Sequence, residues 1–189
     1  QDYRNRNKIK TPQGLRWLTV PVHYEHTEQL ICETRIDYST LWSIEHERLL
    51  DANYRAAPHW ADAKLILGLS CSGQATISGL NRAAIGVVCG YLGIRTPIYD
   101  SSAFLLDPAL KKTERIIAIC KALGATHYLS GPAAKTYLDE AALEKAGITL
   151  EYKVYDYPEY PQLHGKFEGG VSILDLIANV GPDAPRYIW

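Results

Sequence analysis

Between Thr96 and Tyr155 short extended segments alternate with amphipathic helical ones, and this alternation restricts the fold more than any other feature. Thr96-Pro97-Ile98-Tyr99 predicts a short strand, Lys112 to Leu123 a helix, Thr126 to Ser130 a strand, Lys135 to Ala146 a helix, and Ile148 to Tyr155 a further strand. Gly124 and Gly147 each stand where a helix ends and a strand follows within one to three residues, the usual spacing of an α/β connection. Strands separated by crossover helices pair in parallel. The expected fold class is therefore α/β: a single layered domain over residues 1–189 with a mainly parallel, Rossmann-like sheet flanked by helices.

Outside that stretch the signals change. A basic segment, Arg4 to Lys10, runs into the turn residues Thr11-Pro12-Gln13-Gly14, and Trp17 to Val22 reads as a strand stopped by proline. Leu30 to Ile36 is a second candidate strand, and the opening is expected to be hairpin-like. From Ser39, with Ser39 or Thr40 as N-cap, Leu41, Ile44, Leu49 and Tyr54 recur at helical spacing up to Pro58. A second helix is expected over Ile77 to Leu92, with Gly93 at its end, and Leu69 to Gln74 reads as loop. Tyr155 to Gln162 is too rich in Tyr and Pro for regular structure, and Ser172 caps a short helix ending at Gly181-Pro182.

Composition removes several function classes. Twenty Lys+Arg against 21 Asp+Glu give a net charge of -1, without the basic surplus of a nucleic-acid binder. No apolar run approaches the roughly 18 residues of a spanning helix, so neither nucleic acid nor a membrane is an expected partner. Four separated cysteines without a C-x-x-C pair, and no leader peptide at the start as given, suit a cytoplasmic setting. The chain contains no Met and opens on Gln1-Asp2-Tyr3, as expected of a sequence lacking its native N-terminal segment.

Three segments carry chemistry. Ser130-Gly131 at a strand end offers backbone N–H groups and Lys135 a cation, which reads either as an anion site or as an ordinary capped turn. Arg4, Asn5, Arg6, Asn7, Lys8 and Lys10 interleave cations with amides, as an anion grip or as a solvated edge strand. Tyr157 to Gln162, including Tyr160, is a rigid aromatic wall for a sugar or base, or the packing of a crossing loop. Among the histidines His127 is the first candidate for proton transfer, ahead of His59 and His164. Cys120 reads as core, and no metal-ligand spacing, serine-hydrolase elbow or nucleotide-loop fingerprint is present.

The string Asn5 to Gly14, followed by Trp17 to Val22, resembles the WbqC-like protein family. So do Leu123 to Pro132, Tyr137-Leu138-Asp139, Tyr160-Pro161-Gln162, and Ser172 to Leu176 with Asn179 and Gly181, in the same order along nearly the whole chain. The resemblance implies an N-terminal H-Q-P-x-Y-x-P-W segment ahead of Gln1, with a further candidate histidine. It also implies bacterial surface-polysaccharide or specialised-metabolite biosynthesis, often beside amino-sugar genes. From this follows the expected activity: acyl or aminoacyl transfer from an activated donor to an amine such as an amino sugar.

In that reading His127 is the base and Ser130 and Gly131 supply oxyanion or phosphate donors. Asn5, Arg6, Asn7, Lys10, Lys135, Tyr137, Tyr160, Gln162, Asp175 and Asn179 hold a nucleotide-linked or carrier-linked small molecule. No metal and no particular cofactor is expected, and a homo-oligomer is compatible with the sequence. The competing expectations are a non-catalytic protein that binds a nucleotide sugar or a partner, and a nucleotidyltransferase-like enzyme.

Overall fold

The hairpin of the computed structural model, which describes residues 3–27, 29–71 and 73–188, is built from the basic segment itself. Strand β1 (Arg6–Thr11) pairs antiparallel with β2 (Gly14–Thr19), in a register running from Arg6 opposite Thr19 to Thr11 opposite Gly14. The Thr11 hydroxyl closes the turn by accepting from Gln13 N–H at 3.2 Å and donating to the Gly14 carbonyl at 2.8 Å. Gly14 has φ +104°, a conformation that side chains resist. The expected second strand at Leu30 to Ile36 is mostly turn, because the Leu30 carbonyl collects the Glu33 and Thr34 N–H groups before they can pair across a sheet. Only the single bridges Val22 to Ile36 and Arg35 to Thr76 survive there.

The chain divides into two compact units: Gln1–Arg95 with Tyr157–Trp189, and Thr96–Asp156. In the first, helix α1 (Trp42–Tyr54) is phased differently from the expected stripe. Trp42, Leu50 and Tyr54 are buried, whereas Leu41 and Ile44 are exposed. Its N-cap is Leu41 without a side-chain cap, in place of the expected Ser39 or Thr40, and Ser39 N–H donates to the Asp37 carboxylate at 2.8 Å. Helix α2 (Trp60–Cys71) takes in Leu69 to Cys71, the first half of the expected loop, and buries Trp60, Ala63, Ile66 and Ser70 at spacings of three and four. Helix α3 (Ile77–Tyr91) begins at Thr76, whose hydroxyl accepts from Gly79 N–H, and Gly93 follows in the left-handed region as expected.

The late helix of this unit returns to the hairpin. This helix, α6 (Ile173–Val180), starts at Ser172, whose hydroxyl caps Leu174 N–H and whose own N–H donates to the Lys8 carbonyl at 2.7 Å. Ile177 and Ala178 of α6 are fully buried in a core with Ile9, Leu50, Ala63 and Ile66. Gly181 ends the helix at φ +56° directly against His59, where a Cβ would lie 2.4 Å from the imidazole Cγ. Only glycine passes there.

The second unit contains the parallel pairing that the alternation called for, but on a smaller scale. Strand β3 (His127–Ser130) pairs in parallel with β4 (Thr149–Tyr152), and α5 (Glu140–Lys145) lies between them in sequence, forming a βαβ element. With α4 (Lys112–Ala122) these elements enclose Cys120, Leu143 and Ile148. Cys120 is core, as expected, and burial raises its thiol pKa. The predicted helix from Lys135 is broken: a 3-10 turn spans Pro132–Thr136, and the Asp139 carboxylate then caps Ala142 N–H at 3.0 Å to start α5.

Thr96 to Tyr99 forms no strand, since Pro97 brings no N–H and the flanking Ile98 and Tyr99 side chains are exposed. Among the described residues the sheets are one antiparallel and one parallel pair, so the architecture is mixed α/β with two small sheets. Truncating the fully buried Leu143 to Ala leaves a cavity under β3 and β4. It is expected to cost about 3 kcal/mol, read as a lowered urea midpoint.

Candidate functional site

Two cavities in the first unit meet at the residues just ahead of β1. The larger, about 840 Å³, lies within the size range of small-molecule sites. Its walls are a stripe along α3 (Ile77, Leu80, Ala84, Val88), Ile66 and Leu67 of α2, Leu18 and Val20 after the turn, and Ile173 and Leu174 of α6. The charged side chains lining it are Arg4 and Arg6, accompanied by the amides of Asn5, Asn7 and Asn81; none of the described lining residues is acidic. The second cavity, about 700 Å³, shares Arg4, Asn5 and Ile77 with the first. It adds a more polar wall, with Thr19, Tyr24, Thr27, Gln29 and Thr34.

The shared edge is held by the hairpin. Asn5 brackets Val20, its carbonyl accepting from Val20 N–H at 2.8 Å and its side-chain amide donating to the Val20 carbonyl at 3.1 Å. The Arg4 carbonyl accepts from the Asn81 amide at 2.9 Å, which ties the segment to α3. The Arg6 guanidinium lies 4.2 Å from the centre of the Trp17 ring, and Tyr3 packs on the same ring. Asn7 accepts from Lys8 N–H.

One histidine lines the larger cavity, and it was not among those singled out from the sequence. His46 of α1 stands one turn after Trp42 and meets its ring edge-on at 5.3 Å. Its Nε2 lies 3.1 Å from the Thr19 carbonyl. A carbonyl only accepts, so Nε2 carries the hydrogen; burial depresses the pKa below 6.5, so the neutral ring keeps its lone pair on Nδ1. The Trp42-x-x-x-His46 spacing, read as one helical face, is the sequence signal that would have found it.

Lys10, Tyr160, Gln162, Asp175 and Asn179 come together in the first unit and spend their hydrogen bonds mainly on one another. Asp175, 1% exposed, accepts at Oδ1 from the Tyr160 hydroxyl and the Gln162 amide, both at 2.7 Å, and at Oδ2 from the Tyr54 hydroxyl at 2.6 Å. Asn179 donates to the Asp175 carbonyl at 2.8 Å. The buried Lys10 ammonium donates to Gln162 Oε1 at 2.7 Å and to the Gly165 and Lys166 carbonyls, which uses its three hydrogens. Lys10 N–H donates to the Tyr54 hydroxyl at 2.9 Å, and burial, with Asp175 beside it, drives the Tyr54 pKa strongly upward. This network fastens β1, α1, α6 and the Tyr160 loop together behind the Arg4 to Asn7 edge.

The remaining candidates lie in the second unit. His127 is exposed on β3, with its Nδ1 3.0 Å from the Thr126 hydroxyl. Ser130 ends β3 with its carbonyl accepting from Lys153 N–H, and Gly131 precedes the short 3-10 turn. The Lys135 ammonium lies 4.9 Å from the centre of the Tyr152 ring, and Tyr137 is exposed. His59 in the first unit is 3.8 Å from Asp62, and His164 Nε2 lies 2.8 Å from the Asn53 carbonyl, so both have structural partners. Among the described residues no group of three acidic, histidine or cysteine side chains is placed to hold a metal ion, and no helix is long and apolar enough to cross a membrane.

A family model described as the WbqC-like protein family matches residues 1–187. An uncharacterized protein of Mycobacterium tuberculosis is 45% identical over 192 residues, covering 100% of this chain and 82% of the relative. No solved structure matches significantly.

Proposed function

The chain belongs to the WbqC-like protein family, and on that premise we propose that it is a cytoplasmic transferase that moves an acyl or aminoacyl group from an activated donor to an amine such as an amino sugar. Surface-polysaccharide or specialised-metabolite biosynthesis is its setting. The observation that carries this reading is the pair of cavities sharing Arg4, Asn5 and Ile77. A transfer reaction needs two substrates held with their reacting ends together, and two adjoining cavities with a common cationic edge suit that need.

In this reading the donor occupies the larger cavity with its anionic carrier at Arg4 and Arg6, and the acceptor enters the more polar one. The amine nitrogen attacks the donor carbonyl carbon; a C–N bond forms and the C–S or C–O bond to the carrier breaks. The proton released by the amine passes to His46 Nδ1 and from there to the departing thiolate or oxyanion. His46 fits the role because its ring lines the donor cavity and its Nε2 is anchored to Thr19, a residue of the acceptor cavity. Lys10, Tyr160, Gln162, Asp175 and Asn179 act as positioning residues that hold the cavity edge. Both units are read as parts of one WbqC-like domain, with the second as the βαβ element of a Rossmann-like layer. His127 and Ser130, expected from the sequence to be catalytic, and Gly131, Lys135 and Tyr137 belong to the second unit and take no part in this step.

The test is turnover of the purified protein with acyl-thioester and aminoacyl donors, each offered with a nucleotide-linked amino sugar, and read by mass spectrometry of the amide. Amide formation in one pairing is expected. Absence of product from every pairing, with no donor raising the melting temperature, would overturn the reading. Raised melting temperature without product favours the binding-protein alternative.

A further inference from the structure

We infer that Trp42 is the oxyanion donor of the larger cavity: its indole Nε1–H donates to the oxygen of the reacting carbonyl while His46 takes the proton of the attacking amine. The inference rests on the transfer reading above and adds to it the group that stabilises the charge on oxygen.

Trp42 is the first residue of α1 and lines the cavity. It is 3% exposed and packs with Val20, Ile77 and Leu80, which line the same cavity. Among the described residues its Nε1 has no hydrogen-bond partner. A buried indole N–H ordinarily finds an acceptor, because an unmade bond leaves the full cost of removing the group from water. Trp60 is the ordinary case in this chain, its Nε1 donating to the Asp51 carboxylate at 3.0 Å. The Trp42 N–H is a donor whose acceptor an occupant of the cavity can supply. One turn later on the same helix His46 presents the converse, since the Thr19 carbonyl holds its Nε2–H and leaves the lone pair on Nδ1. The two ring centres are 5.3 Å apart. At that separation donor and acceptor reach two substituents of one carbon: the oxygen and the nitrogen of a carbonyl under attack by an amine.

Each half meets a requirement of the reaction. As the C–N bond forms, the carbonyl π pair moves onto oxygen, and a donor already out of water stabilises that charge without reorganising. The pair returns to carbon as the C–S or C–O bond to the carrier breaks, and the amine proton travels through His46 to the departing group. A neutral amide offers the same oxygen to the Trp42 N–H, so its binding reads this contact without turnover.

The probe is N-butylhexanamide, titrated into the full chain labelled with the heavy nitrogen isotope. The chain has four Trp and so four indole N–H signals, and that of Trp42 is assigned in the parent protein. This signal is expected to move downfield as the probe saturates, as an N–H does when it gains an acceptor. Trp42→Phe is expected to weaken the probe about tenfold. The same variant is expected to lower kcat for amide formation about 10²-fold with KM for the donor changed far less. If Phe prevents folding, benzothienylalanine in place of Trp42 keeps the ring outline, puts sulfur where the N–H was, and is expected to give the same two losses.

A probe that does not bind, a Trp42 signal unmoved at saturation, or a folded variant that binds the probe as tightly as the parent would each overturn the inference. Failure here is distinguishable from failure of the transfer reading. Turnover that a folded Trp42 variant leaves unchanged sinks this inference alone. A downfield Trp42 signal with no product from any donor sinks transfer and leaves the carbonyl contact at Trp42 standing.

Discussion

His46→Gln is expected to lower kcat for amide formation by roughly 10²- to 10⁴-fold, the usual contribution of a positioned general base, with KM for the donor changed far less. Gln keeps an N–H for the Thr19 carbonyl, so the fold near neutral pH should hold while the Nδ1 lone pair is lost. The pH profile separates a base from a structural residue. Burial depresses the folded imidazole below its ordinary value of 6.5, so the ring is neutral at pH 7 and activity falls only as acid protonates it below that ordinary range.

The same depression makes stability pH-dependent. Below 6.5 the unfolded chain takes up a proton that the folded ring resists, so acidification favours unfolding until the folded ring also titrates. The Gln variant should lose both the acid limb of activity and this component of acid sensitivity. His127→Gln is the paired measurement, because its ring is exposed in the second unit. Retained turnover there is expected, and loss at His127 with none at His46 would move the base out of the cavity.

Asp175→Asn is expected to cost about 3 kcal/mol, read as a lowered urea midpoint at unchanged slope. The substitution keeps the shape and turns one acceptor into a donor. At Oδ1 the incoming NH₂ would face donors from Tyr160 and Gln162; at Oδ2 it would face the Tyr54 hydroxyl, whose oxygen already accepts from Lys10 N–H. Either orientation leaves buried donors without acceptors, which is the expensive way to break a network. Because the network ties β1 to α6, donor binding at Arg4 to Asn7 should weaken along with stability. Tyr54→Phe removes one donor and is expected to cost less, about 1 kcal/mol. An Asp175→Asn protein as stable as the parent would show that the network contributes nothing to holding the edge.

Much of the secondary structure was readable because its causes are local. Gly93, Gly124 and Gly147 stand at helix ends, Ser172 caps α6, and β3 and β4 lie where β-branched and aromatic residues follow a glycine. The misses are local contests that the pattern could not decide. Lys135 to Ala146 has helical composition throughout, yet the Asp139 side chain captures Ala142 N–H and restarts the helix. In α1 Tyr54 is buried as the expected stripe requires, but Trp42 and Leu50 take the inward positions in place of Leu41 and Ile44, and the larger aromatic area sets the phase. Helix α2 was hidden by Gly68 and the Ser-Cys-Ser-Gly run, although its tertiary packing is enough to form it.

The candidate site divides in the same way. Asn5, Arg6 and Asn7 were picked out as an anion grip, and they line the larger cavity. Lys10, in the same string, turns inward to Gln162 and the Gly165 and Lys166 carbonyls. His46 is marked in the sequence only by its place one turn after Trp42, and its tautomer depends on a carbonyl from β2.

What the residues determined unaided were the family, the helix ends marked by glycine, the tight turn and the two strands of the parallel pair, since each of these elements is written largely by side chains close to its own backbone. Which polar groups are consumed inside the protein and which line a cavity was decided only by tertiary packing. Lys10 and Gln162 are 152 positions apart, and Tyr54 and Asp175 are 121. A buried charge or carboxylate must find its partners wherever the fold brings them, and no spacing along the chain encodes that meeting.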